Sequence, residues 1–226
     1  MNNATTEATG KLAFLHTSAV HIETFNRLIN EFDLNIEVVH KVDESLLSQA
    51  ISTGVDADLT QKVQLQIKQL ITQGASVVVC TCSSIGEIAE QLELANGASA
   101  LRIDRAMADK AVLVGQDILI VAALQSTLSP TYDLLQTSAT KLKRQVNLEV
   151  VSIDQAWSFF EAGELHKYHQ CIADYIQLHA ANYDVIVLAQ ASMADACVLC
   201  QNLATPVNIP ILSSPELGLM AAIEKL

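Results

Sequence analysis

The sequence predicts an α/β protein made of two pseudo-symmetric lobes, each a parallel sheet flanked by helices. Two observations carry this. From Lys11 onward, short β-branched runs alternate with segments of helical period, the signature of parallel strands joined by crossover helices. The chain also repeats itself: Val-Val-Val-Cys-Thr-Cys over 77–82 and Val-Ile-Val-Leu-Ala-Gln over 185–190 each end an apolar run and open a Ser-containing turn, placing Cys82 and Gln190 108 positions apart. The same shift carries Leu101, Arg102 and Ile103 onto Ile209, Pro210 and Ile211, while Asp58 and Glu164, each opening an amphipathic segment, stand 106 apart. No Gly/Ser tract separates the halves, so the boundary is expected at a structured crossing near Arg102 to Arg105. Lobe 1 is read over 1–103, rejoined by 212–226, and lobe 2 over 104–211. A duplicated α/β unit tends to put its two strand ends across a shared cleft, so Cys82 and Gln190 are expected to face one small molecule from opposite sides.

In the first half a strand is expected over 12–16. A helix follows over 20–32 with Ile22, Phe25, Leu28, Ile29 and Phe32 on one face, then a strand over 36–41. After a short helix near 43–51, Asp58 is expected to cap a longer helix carrying Val63, Ile67, Leu70 and Ile71, which Gly74 ends. A strand over 77–81 leads into a helix opened by Ser83 or Ser84. The second half repeats the order: a strand over 118–122, a helix with Pro130 in its first turn, a strand over 148–153, a helix ending near Ala162, another over 164–181, a strand over 185–189 and a helix over 193–203. Pro130 suits a helix start because its missing N–H would have no intrahelical partner there. Ser214, Pro215 and Glu216 give the same signal ahead of a last apolar helix through Leu217, Met220, Ala221 and Ile223.

With 226 residues, 50% of them hydrophobic and 17% charged, the chain can bury a substantial core as one large domain or as two of about 100 residues each. A formal charge of −12 opposes binding to nucleic acid or to an anionic membrane surface. The first ten residues are polar and lack a basic n-region, which reads as a short disordered leader rather than a signal peptide. The longest apolar runs, such as 118–124, reach about a third of the roughly 20 residues that a spanning helix needs. A cytoplasmic protein is expected, with its five cysteines as thiols rather than a disulfide framework.

Cys82 stands where an inward-facing strand end turns into a helix, followed by Ser83 and Ser84. A thiol there lies near free N–H groups and the positive end of a helix dipole, which favour the thiolate and also bind carboxylates. The plain alternative is a small buried apolar residue. Cys80, two residues earlier, points to the same side of the sheet but deeper, and reads as core. Cys197 and Cys200 have redox-like spacing but lie inside a helix, where packing is the better reading. A zinc site joining these four cysteines is disfavoured because only one residue separates Cys80 from Cys82. Gln190 holds the mirrored strand end, followed by Ala191 and Ser192; its amide can bind but has no proton to exchange near neutral pH. His16, Thr17 and Ser18 end the first strand, and Ser126 and Thr127 follow its counterpart. Each is open to a structural reading as cap, turn or core residue. His166, His169 and His179 share a helical stretch without a third zinc ligand in a cleft. There is no Gly-rich phosphate loop, so no nucleotide cofactor is expected, and no metal.

With these residues in view, the chain resembles the aspartate/glutamate racemase superfamily along nearly its whole length, from Leu-Ala-Phe-Leu-His-Thr-Ser to Pro-Ile-Leu-Ser-Ser-Pro-Glu-Leu-Gly. The most specific match is Thr81, Cys82, Ser83 and Ser84, which is similar to the first Cys-Asn-Thr-type motif; Arg102 to Asp109 resembles the segment that crosses between lobes. The resemblance implies two lobes, no cofactor, a small carboxylate or amino-acid-like substrate, and two cysteines exchanging a proton at a carbon α to a carboxylate. It carries the catalytic role onto Cys82. Leu-Ala-Gln-Ala-Ser-Met stands where the family has Leu-Gly-Cys-Thr, so Gln190 replaces the second thiol and is assigned to orient the opposite face. A one-sided proton transfer is implied, with His16 or a water as a substitute base if racemisation persists, and Thr17, Ser18, Ser83, Ser84, Ser126, Thr127, Ala191 and Ser192 lining the substrate. A one-cysteine lyase, as in arylmalonate decarboxylase, and a noncatalytic carboxylate-binding protein are the alternatives. Self-association into a homo-oligomer stays open.

Overall fold

The computed structural model describes residues 10–202 and 206–226. The expected leader, up to residue 9, and Leu203 at the expected end of the helix over 193–203 lie outside the described residues. The chain divides into two compact units: the described residues up to Ile103 together with Leu219–Leu226, and Asp104–Gly218.

The first unit runs β1 (Lys11–His16), α1 (Val20–Glu31), β2 (Glu37–Val42), α2 (Glu44–Thr53), α3 (Ala57–Thr72), β3 (Val77–Cys80), α4 (Gly86–Glu90) and β4 (Ser99–Arg102). The second runs α5 (Arg105–Val114), β5 (Asp117–Ala122), α6 (Leu128–Leu142), β6 (Asn147–Ser152), α7 (Asp154–Glu161), α8 (Leu165–His179), β7 (Val185–Leu188), α9 (Asp195–Gln201) and β8 (Ile211–Leu212); α10 (Ser214–Ile223) begins here and ends in the first unit. All strands pair in parallel, in the orders β2-β1-β3-β4 and β6-β5-β7-β8.

The central strands are fully buried, and their alternate side chains feed two cores per unit. In the first, Ala13, Leu15, Val78 and Cys80 meet α2, α3 and α4 through Leu46, Leu59, Val63, Ile67 and Ile88, whereas Leu12, Phe14, Val77 and Val79 meet Phe25 and Leu28 of α1 and Leu219 and Ala222 of α10. In the second, Ile118, Ile120, Val185 and Val187 meet α5 and α6, and Leu119, Val121, Ile186 and Leu188 meet α7, α8 and α9. Cys80 is core, as its position two residues before Cys82 implies.

Three local readings are corrected. The cap of α3 is Asp56, whose carboxylate accepts from the Leu59 amide at 2.8 Å, while Asp58 faces solvent and binds Lys62 and Gln49. Neither Ser83 nor Ser84 opens a helix: α4 starts at Gly86, with Ile85 before it and no side-chain cap. Glycine is needed there because α4 runs close to β4, and a Cβ would lie 3.0 Å from the Arg102 Cβ. The repeat is not constant either: Val79 pairs with Leu101 and Val187 with Leu212, so equivalent residues of β4 and β8 are 111 apart rather than 108, the β7 to β8 connection being three residues longer.

Among the described residues no helix is long and apolar enough to cross a membrane. Asp56→Ala is expected to cost about 1 kcal/mol of unfolding free energy, and Asp58→Ala measurably less; urea unfolding of the two variants separates the assignments.

Candidate active site

In each unit one pair of neighbouring strands sends its outgoing loops to opposite faces of the sheet. β1 leads into α1 and β3 into α4, which pack in different cores; β5 and β7 do the same with α6 and α9. Such a switch point opens a crevice beyond the carboxyl ends of the strands, where backbone groups are left without sheet partners. Thr17, Ser18, Cys82, Ser83 and Ser84 lie at this place in the first unit, and Ser126, Thr127, Gln190, Ala191 and Ser192 in the second.

Cys82 follows the last paired residues of β3 and is almost wholly buried. Burial pushes its thiol above the ordinary value of 9.0; the Thr17 hydroxyl, the backbone N–H groups of Ser84 and Ile85 and the Ser84 hydroxyl pull the other way without overcoming it. The expectation of an acidified thiol is therefore corrected. The helix that was to supply the dipole is only five residues long and starts four residues beyond the sulfur. Cys197 and Cys200 are raised as well, to about 12 and about 11, mainly by burial. All five cysteines are free thiols.

His16 is fully buried, and both ring nitrogens are engaged: Nδ1 with the Thr81 hydroxyl at 2.8 Å and Nε2 with His40 Nδ1 at 2.9 Å. His40 Nε2 continues to Asn26 Oδ1 at 3.1 Å. Phe14 and Phe25 stack on this group, and His21 lies 6.0 Å from His16 between ring centroids. Burial, assisted by His21 and His40, lowers the His16 pKa to about 3, and burial lowers that of His21 to about 4. His16 is thus an uncharged tie between the end of β1 and Thr81, the residue directly before Cys82. His21, His40, Asn26 and Thr81 were not anticipated. The pairing of Phe14 with His40 brings them together, and that requires the register of two strands.

In the second unit, Gln190 Oε1 accepts from the backbone N–H groups of Ala123 at 2.7 Å and Leu124 at 3.0 Å. Thr127 turns its hydroxyl back to the Leu124 carbonyl at 2.7 Å, and the Ser192 hydroxyl meets Tyr168 at 2.9 Å while its carbonyl meets His169 Nε2 at 2.8 Å. Ala191 is buried at the start of a single 3-10 turn, and Ser126 is half-buried in another. His169 is thereby a supporting residue of the Ser192 turn, a role that its spacing from His166 did not suggest. Among the described residues no group of three or more His, Cys, Asp or Glu side chains is arranged to hold a metal ion.

Two parallel α/β units, each with polar groups gathered at a switch point and with a cysteine at one of them, define a two-lobed architecture. The chain belongs to the Asp/Glu/Hydantoin racemase family, which matches residues 3–222. A search of curated proteins finds no match. Among solved structures the chain is similar to the aspartate racemase of Picrophilus torridus, with a TM-score of 0.71 and 14% identity over 95% of this chain and 93% of that one. It is also similar to the allantoin racemase of Klebsiella pneumoniae, with a TM-score of 0.64 and 16% identity over 96% and 87%. The glutamate racemase of Aquifex pyrophilus gives a TM-score of 0.63 and 10% identity over 96% and 84%. At these identities the likenesses show a shared fold.

Two outcomes follow from the electrostatics. Alkylation of Cys82 by iodoacetamide, followed by peptide mass spectrometry, should show an inflection above the ordinary thiol pKa of 9.0; an inflection below it would mean that the amides outweigh burial. For His16 and His21 the folded pKa lies below the ordinary 6.5, so in the interval below pH 6.5 the unfolded chain binds protons that the folded chain refuses. Stability is then fully present above about pH 6.5 and falls toward pH 4 and 3, by up to about 1.4 kcal/mol per pH unit for each ring. Urea unfolding at pH 7 and pH 5 measures the loss, and His21→Leu, which removes a buried and unpartnered Nδ1, should reduce it.

Proposed function

We propose that this chain is a cofactor-independent racemase-type enzyme acting on a small carboxylate or amino-acid derivative, with Cys82 exchanging a proton on one face of the carbon α to the carboxylate. Family membership supports the reaction class. The observation that carries the one-sided form is Gln190: at the place equivalent to Cys82, the second unit holds an amide whose oxygen is already committed to two backbone N–H groups. An amide exchanges no proton near neutral pH.

The exchange requires the thiolate, which takes the α proton and becomes the thiol while the electron pair of the C–H bond passes into the carboxylate as an enediolate. Thr17, Ser84 and Ile85 are the groups that hold the negative sulfur before transfer. Returning the proton restores the substrate, and exchange of the thiol proton with water brings solvent hydrogen into it. His16 is assigned to positioning the turn that carries Thr81 and Cys82, since both its nitrogens are occupied. A second reading is favoured by the raised thiol pKa: a lyase in which a carboxylate leaves as carbon dioxide, and the Cys82 thiol, already protonated, delivers its proton to the resulting carbanion.

Deuterium incorporation in heavy water, across a panel of amino acids, hydantoins and dicarboxylates, tests both. Wash-in should occur on one face, and Cys82→Ala should reduce it by about 10²- to 10⁴-fold. Loss of one carboxylate of a dicarboxylate as carbon dioxide, with deuterium entering the product on one face, selects the lyase. Exchange that survives Cys82→Ala overturns the assignment of the thiol. Gln190→Cys should add exchange on the other face.

A further inference from the structure

We propose that the backbone N–H groups of Thr17 and Ser18 form a binding site for one oxygen of a carboxylate or carboxamide beside the Cys82 thiol, and that Gln190 occupies the equivalent site of the second unit as a built-in ligand. The inference rests on the reading above only in identifying the bound group as part of the substrate.

The equivalence comes from the ladders of each unit taken separately. Leu15 pairs with Cys80 and Val121 with Leu188. One step on, the Thr81 amide donates to the Leu15 carbonyl at 3.0 Å and the Ala189 amide to the Val121 carbonyl at 2.9 Å. On the other side, the Asp43 amide donates to the His16 carbonyl at 2.9 Å, and the Ile153 amide to that of Ala122 at 2.7 Å. His16 therefore corresponds to Ala122, Thr17 to Ala123, Ser18 to Leu124 and Cys82 to Gln190. Both dipeptides leave their strands as bends before the helix that follows.

In the second unit this geometry has an occupant, the planar amide oxygen of Gln190, held by the Ala123 and Leu124 amides at 2.7 and 3.0 Å. Cysteine carries one heavy atom beyond its Cβ where glutamine carries four, so Cys82 cannot fill the corresponding place with an oxygen of its own. Its sulfur instead meets the Thr17 hydroxyl and the Ser84 and Ile85 amides. Among the described residues neither the Thr17 nor the Ser18 N–H has an acceptor. Thr17 is buried and Ser18 half-buried, so the pair lies at the edge of the interior with solvent access on one side. Buried backbone N–H groups are rarely left without a partner, and two that converge as those of the equivalent Ala123 and Leu124 do favour an oxygen that gains negative charge. An enediolate oxygen, formed as the α proton reaches the adjacent sulfur, is such an acceptor.

The test is a pair of titrations of the uniformly 15N-labelled full chain, with sodium acetate and with acetamide, read on the backbone amide spectrum. Saturable downfield shifts of Thr17 and Ser18, with Ala123 and Leu124 unmoved, support the site. In Gln190→Ala the Ala123 and Leu124 signals should shift and then become sensitive to acetamide, as the built-in ligand is gone. Absence of any saturable shift at Thr17 and Ser18 with both probes overturns the proposal, whether or not the variant folds. The enzymatic reading fails separately: shifts without any deuterium wash-in leave the binding site and remove the catalysis, whereas Cys82-dependent wash-in into a substrate that leaves both amides unmoved removes the site and keeps the catalysis.

Discussion

The constraint on which the rest of this structure depends is that two adjacent parallel strands must release their loops to opposite faces. Sheet hydrogen bonds satisfy β1 and β3 up to Leu15 and Cys80, and β5 and β7 up to Val121 and Leu188. Beyond those pairs the Thr81 and Ala189 amides still donate across, to Leu15 and Val121, after which the chains diverge toward helices in different cores and later N–H groups lose the strand that would have accepted from them. A crevice made this way is polar through its backbone, whatever side chains line it. Chemistry can then be written by single substitutions at the strand ends without altering the sheet.

The two units answer the same requirement differently. The second closes it internally, with one side chain long enough to present an oxygen to two amides. That tie joins the end of β7 to the loop after β5, while Thr127 and Ser192 turn their hydroxyls onto neighbouring carbonyl and phenol groups. The first unit makes its tie one layer lower, from His16 to Thr81, and leaves the position above it to a thiol. Where the first unit carries a cysteine, the second carries a glutamine that ties two strand ends together.

Much of the fold was legible because it rests on period and punctuation. The β-branched runs and the Pro130 start reappear within a residue or two, and Phe25, Leu28, Val63, Ile67 and Leu70 are buried on their helices as expected, whereas Phe32 follows the end of α1 and is exposed. Cys82 and Gln190 were legible as equivalents because each directly follows an apolar strand. What failed depended on distance through space. Asp56 and Asp58 are indistinguishable as cap signals in sequence, and only the bond to Leu59 separates them. The apolar triplets over 101–103 and 209–211 look alike, yet a period of two cannot reveal a three-residue insertion upstream. The acidity of Cys82 was misjudged for a similar reason: proximity to amides can be read from a strand-turn motif, but the amount of water removed from the sulfur cannot.

The histidine group fixes the end of β1 against the turn that carries Cys82. Asn26 Oδ1 only accepts, so His40 donates to it through Nε2 and accepts at Nδ1; His16 then donates through Nε2 and accepts at Nδ1 from the Thr81 hydroxyl. Every bond in that order needs both rings neutral. A proton added to His40 would set two N–H groups against each other, whereas one added at His16 Nδ1 would turn the Thr81 hydroxyl toward the Leu15 carbonyl, 3.3 Å away; either charge would sit against an aromatic layer of Phe14 and Phe25 that offers no counter-charge. Burial holds the His16 pKa at about 3, and its bond to Thr81 ties the end of β1 to the residue directly before Cys82. Both ring nitrogens of His16 are engaged in this way, so the ring serves as a tie beside the turn that carries Cys82.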